Sequence, residues 1–126
     1  MDISRSILQD ARKGVGLDES LTDYDGDLLP LINSAIAEVN QVGVGNFVIV
    51  ENEEQTWQDL QNPLQVEGNN FFKMVPLFVI LSTKLIFDPP PPSSVEFQKV
   101  YAEKLLWRLK VAYETPYTPP VVDNEL

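Results

Sequence analysis

The chain has no cysteine and no histidine among its 126 residues. Lack of cysteine excludes a disulfide framework, a thiolate metal site and a thiol nucleophile. Lack of histidine removes the usual general base near neutral pH and the commonest metal ligand. Catalysis would have to rest on carboxylates, lysine, tyrosine or serine alone, so the sequence reads as a non-enzyme without a cofactor. Long hydrophobic runs are missing too. The most apolar stretch is Asn70 to Phe87, and its run from Met74 to Phe87 contains Pro76 and Lys84 and falls short of the ~20 residues that span a bilayer. The start of the chain, Met1 to Gly16, mixes charge throughout and has no apolar segment of the signal-peptide kind. These absences predict a soluble protein made in the cytoplasm, with no membrane partner.

Basic residues are absent from a whole block. From Gly14 to Phe72 there are only acids: Asp18, Glu19, Asp23, Asp25, Asp27, Glu38, Glu51, Glu53, Glu54, Asp59 and Glu67. All nine Lys and Arg lie outside it, and the net charge is −10. So acidic a surface disfavours tracking of nucleic-acid phosphates. Either the block forms a solvated acidic face, or complementary parts of the chain meet, within one subunit or between neighbours.

What is present is mostly helical pattern, in a length that fits one domain with a modest core. The apolar share of 44% argues against a wholly disordered chain. Asp2 to Lys13 reads as a short amphipathic helix through Ile3, Ile7, Leu8 and Ala11, stopped by Gly14 and Gly16. Leu28, Ile32, Ala35, Ile36, Val39 and Val42 recur at helical spacing up to Gly43. That helix begins at Thr22 or at Asp27, and Pro30, tolerated in a first turn, favours the later start. Phe47 to Val50 is a short β-type run, destined for a small hairpin or for an edge offered to another chain. Thr56 to Leu60 reads as one helical turn capped by Thr56. Trp57 and Leu60 face inward there, with Trp57 a lid on the core or a partner anchor.

The apolar stretch and the final helix, Val95 to Tyr113, flank Asp88-Pro89-Pro90-Pro91-Pro92-Ser93. Asp88 precedes a proline and ends the first of these helices. The prolines form a stiff spacer, and Ser93 with Glu96 fits a capping box that starts the second. Pro76 belongs to an early turn or marks a kink. Apolar residues occupy much of the last helix's circumference, and Trp107 and Val111 cannot all be buried in a simple bundle. That surplus suggests a subunit contact. The expected fold class is mainly α: a bundle of four to five helices over residues 1–113 with a short extended segment. A C-terminal arm follows over 114–126, including Tyr117, Val121 and Val122, which frays or binds a partner by strand addition.

Asp23, Asp25 and Asp27 resemble the opening of a calcium loop. The EF-hand register then needs Gly and Glu where Leu28 and Ser34 stand, so no metal site is assigned. Two rivals to a structural role are a carboxylate metal enzyme using these aspartates and an acidic DNA mimic that inhibits a nucleic-acid-binding protein.

The phrases Leu31-Ile32-Asn33-Ser34-Ala35, Asn40-Gln41-Val42-Gly43-Val44-Gly45, Thr56-Trp57-Gln58-Asp59-Leu60 and Leu85-Ile86-Phe87-Asp88-Pro89-Pro90 occur in that order. They precede a helix containing Leu106-Trp107-Arg108-Leu109. The ordered set, from about Ile3 to Val111, resembles tailed-phage head–tail connector proteins (adaptor, head-completion or DNA-packaging proteins). The resemblance implies a helical virion protein of the phage neck, assembled in the host bacterial cytoplasm. It further implies a homo-oligomeric ring of about a dozen copies beneath the portal protein, extending the DNA channel and docking a downstream stopper or tail-completion protein. Double-stranded DNA would pass without sequence-specific binding, and neither a reaction nor a cofactor is implied. The charge pattern then suggests a head-to-tail contact. Arg5, Arg12 and Lys13, or Lys99, Lys104 and Arg108, would meet a neighbour's acidic middle region, including Asp23, Asp25 and Asp27.

Overall fold

The computed structural model describes residues 3–62 and 73–114. It has four helices, α1 (Ile7–Gly14), α2 (Asp25–Gln41), α3 (Met74–Phe87) and α4 (Pro92–Glu114), and one 3-10 turn at Trp57–Leu60. Among the described residues the only β pairing is an isolated antiparallel bridge between Ser6 and Thr56. The expected mainly α bundle is the observed one.

The first helix starts later than its hydrophobic spacing suggests. The Ile3 and Arg5 carbonyls accept from Gln58 N (2.7 Å) and Trp57 N (3.3 Å), and Ile7 N donates to the Gln55 carbonyl. These long-range bonds hold residues 3–5 out of the helix. Ser6 caps it instead, its Oγ accepting from Gln9 N at 3.2 Å. At the other end Gly16 has φ +94°, and Leu17 N and Gly16 N bond back to the carbonyls of Arg12 and Lys13. That is a Schellman closure, and it needs the left-handed backbone that glycine adopts without strain.

The second helix begins at Asp25, between the two expected starts, and Asp25 and Asp27 in its first turn suit the positive end of the dipole. Pro30 therefore lies inside the helix, past the first turn. It is tolerated there because Pro30 and Gly26, whose carbonyl loses its partner, are both exposed to water. After Gln41 the chain turns at Gly43 and Val44 N bonds to the Val39 carbonyl.

Residues 47–50 have no ladder partner among the described residues, and a side chain satisfies Val50 instead. The Asn33 amide donates to the Val50 carbonyl (3.0 Å) and accepts from Val50 N (2.8 Å). Asn40 Nδ2 likewise donates to the carbonyls of Val44 and Asn46. The Asn33 and Asn40 phrases thus work as clamps on the loop that follows α2. The turn at 57–60 is closed by Asp59, whose carboxylate accepts from Thr56 N, and Trp57 is a fully enclosed lid on the core.

The apolar helix α3 packs against α1, α2 and α4, whereas α1 and α4 scarcely touch. Val75, Phe78 and Val79 from α3 meet Ile7, Leu8 and Ala11 of α1, Ile32 and Ile36 of α2, and Leu105 and Leu109 of α4 in one core. Gly14 lets α1 approach α3 closely, since a methyl group there would collide with the Ile80 side chain. Pro76 falls in the first turn of α3. The helix stops at Phe87, where Asp88 leaves the α region (φ −142°, ψ 75°) as a residue before proline should.

The last helix starts at Pro92, not at a Ser93–Glu96 capping box. Proline is well suited to the first helical position because its missing N–H would have no intrahelical partner. The Pro91 carbonyl accepts from both Ser94 N and Ser94 Oγ. The stiff spacer is therefore shorter than four prolines, running from Asp88 to Pro91.

Candidate functional site

Two surfaces hold the charged and apolar residues that the fold does not require for its own core.

The first surrounds the polar edge of α1. Arg12 is only 1% exposed. Its guanidinium makes a bidentate pair with Asp25 (Nε–Oδ1 3.0 Å, NH2–Oδ2 2.7 Å), and its NH1 donates to Glu53 Oε2 (2.6 Å) and the Glu19 carbonyl (2.7 Å). The Asp25 hydrogen bond, with Glu53 adding to it, raises the Arg12 pKa against the opposing effect of burial. A buried cation is costly unless its donors are matched, and here one arginine ties α1, the α1–α2 connector, α2 and the 51–54 loop together. Arg5 donates to Asp10 (2.7 Å) and reaches Glu19 at 3.4 Å. The hydrogen bond and charge of Asp10, before those of Glu19, raise its pKa.

A cleft of about 490 Å³ opens beside this network, with Leu8 and Leu29 on its apolar wall and Glu51, Glu53 and Glu54 at its edge. Glu53 is engaged by Arg12 and Gln9. Glu51 and Glu54 are exposed, and their carboxylates have no ion-pair partner among the described residues. Phe47 on the same loop is 72% exposed, and Ile49 is exposed as well.

The second surface is the outer side of α4. Ala102, Leu105 and Leu109 face the core. On the far side Phe97, Val100, Tyr101, Lys104, Trp107, Arg108 and Val111 follow the spacing i, i+3, i+4, i+7, i+10, i+11, i+14, which places them on one stripe. Its apolar members are all exposed, Phe97 at 74% and Trp107 at 63%. Lys104 and Arg108 run along its middle and Glu103 borders it one turn before Trp107; neither cation has an ion-pair partner among the described residues. Exposed apolar side chains in a continuous row differ from the singly scattered ones of an ordinary surface.

Of the residues the sequence singled out, Arg5, Arg12 and Asp25 are brought together within one subunit. Lys13, Asp23 and Asp27 are exposed, and Trp107 and Val111 lie on the α4 stripe. Tyr117, Val121 and Val122 lie outside the described residues. Among those described, no three carboxylates are grouped to hold a metal ion. Glu51, Glu54 and the cleft beside them were not singled out from sequence, because nothing local distinguishes them within a long acidic block.

A family model described as phage connector protein matches residues 7–116, which takes in all four helices and both surfaces. No curated protein and no solved structure matches the chain. With that match over most of its length, the chain belongs to the phage connector protein family, structural components of the neck that interact with other head and tail proteins of the phage.

Proposed function

We propose that the protein forms a homo-oligomeric ring of about a dozen copies beneath the portal, where it extends the DNA channel and docks the next connector or tail component. The observation that carries this reading is the α4 stripe, an apolar row that the subunit leaves in water. Burying aromatic side chains of this size between copies supplies affinity, while charged pairs at the rim set register. Exposed carboxylates such as Asp23 and Asp27, facing the channel, repel the phosphate backbone so that DNA passes without sticking. The segment that follows α4, with Tyr117, Val121 and Val122, binds the portal or the downstream protein. The protein catalyses no reaction.

An acidic DNA mimic would need its carboxylates free on one face. Asp10, Glu19, Asp25 and Glu53 are instead engaged by Arg5 and Arg12. The test is the mass of the pure protein across concentration, with negative-stain images in the presence and absence of purified portal. Rings on the portal are the expected result; a monomer that leaves the portal bare contradicts the proposal.

A further inference from the structure

The geometry points to the partner surface for the α4 stripe: the acidic cleft of a second copy, with Lys104 and Arg108 pairing with that copy's Glu51 and Glu54 and Trp107 entering the cleft. This inference rests on the ring proposed above and specifies its subunit contact.

Charge complementarity argues for it. Lys104 and Arg108 run along the middle of the stripe, with Glu103 at its edge one turn before Trp107; neither cation has an ion pair among the described residues, and the two are one helical turn apart, about 6 Å along the axis. The cleft edge carries two carboxylates, three residues apart, that are unpaired among the described residues, and its one cation, Arg12, is already saturated by Asp25 and Glu53. The apolar parts match as well. Half-buried Leu29, beside the fully buried Leu8, gives this open cleft of about 490 Å³ an apolar wall against which an indole can pack. Tryptophan and arginine are the residues that most often anchor such contacts.

Placement in the fold argues for a second copy as occupant. Because α1 and α4 scarcely touch, and neither Lys104 nor Arg108 pairs with Glu51 or Glu54 of its own chain, the stripe and the cleft do not satisfy each other within one subunit. Two different, mutually complementary patches generate a heterologous contact, which propagates from copy to copy and closes when the rotation permits. The alternative basic patch on α1 is largely occupied, since Arg5 and Arg12 are paired with acids of their own chain.

The experiment uses three full-length proteins: wild type, Lys104→Glu/Arg108→Glu, and Glu51→Lys/Glu54→Lys. All substituted positions are exposed, and circular dichroism confirms that each variant folds. Assembly with purified portal is read by native mass spectrometry. Each double variant alone places like charges in every subunit contact and should need at least about tenfold more protein to assemble. Mixed in equal amounts, the two variants restore complementary charge at every contact and should form rings containing equal numbers of each. Assembly of either variant alone at wild-type concentration, or failure of the mixture to recover, overturns the pairing and leaves the ring standing. A wild-type protein that forms no ring on the portal overturns both.

Discussion

Trp57 Nε1 donates a 2.8 Å hydrogen bond to Asp10 Oδ2, joining two buried side chains 47 positions apart in the chain. The other oxygen of the same carboxylate accepts from Arg5 Nε at 2.7 Å. The turn at 57–60 is thereby fixed onto α1. Replacing Trp57 with Phe keeps the aromatic ring but leaves a buried carboxylate oxygen unpaired. The expected loss is about 1–3 kcal/mol, seen as a lower urea midpoint with an unchanged denaturant slope.

Arg12 should be the most sensitive charged residue in the chain. Arg12→Met abandons Asp25 and Glu53, and the expected cost is about 2–3 kcal/mol, less than for a fully enclosed ion pair because Glu53 is half exposed. Arg12→Lys should recover only part of this, since an ammonium cannot reproduce the fork that meets both oxygens of Asp25. The pKa of Arg12 is raised in the folded state. Its stabilisation is therefore complete below the unfolded value and lost only as pH rises through the folded one, above the accessible range. The difference between wild type and Arg12→Met should accordingly stay constant from about pH 7 to pH 10 in denaturant titrations.

Asn33 holds Val50 by both backbone groups. Asn33→Ala removes a donor and an acceptor together and should cost about 1–3 kcal/mol. The Val50 amide, protected in the native protein, should then exchange with solvent much faster, while amides in the middle of α3 change only with global stability. Equal acceleration at both places would show that the clamp is not local.

Asp18 accepts from both the backbone N–H and the hydroxyl of Ser20. These bonds, the hydroxyl's first, lower its pKa against a small opposing effect of burial. The stabilisation they give is present above the unfolded pKa and disappears as pH falls through the lowered folded value. A carboxyl titration by NMR should place Asp18 below an ordinary aspartate, and Ser20→Ala should move it back up. A titration unaffected by that change would contradict the assignment.

The sequence carried some of this architecture plainly. The spacing of Leu28 to Val39, the glycines at 16 and 43 and the proline after Asp88 are local signals, and each fixes a helix or its end. The late start of α1 could not be read locally, because it depends on bonds from residues 3–7 to the turn at 55–58. Competing local preferences hid the start of α4, where Pro92 as first helical residue prevailed over the Ser93–Glu96 box. The same holds for the assembly surfaces. Surplus apolar residues on the last helix were visible as a pattern. The burial of Arg12 was not, since an arginine on a short amphipathic helix usually faces water and only the meeting of α1, α2 and the 51–54 loop encloses it. That enclosure is what shifts attention from the cations of α1 to those of α4.

The most direct test of the account is the mass of the complex formed between purified portal and either wild-type protein or the variant Phe97→Ala/Trp107→Ala. Both changed side chains are largely exposed in the subunit, so monomer stability should move by no more than about 0.5 kcal/mol. The account predicts that wild type adds a full ring to the portal and that the variant, folded to the same degree, adds none at the same concentration. A variant that assembles as wild type does, or a wild type that adds only single copies, would show that the outer face of α4 does not join the subunits.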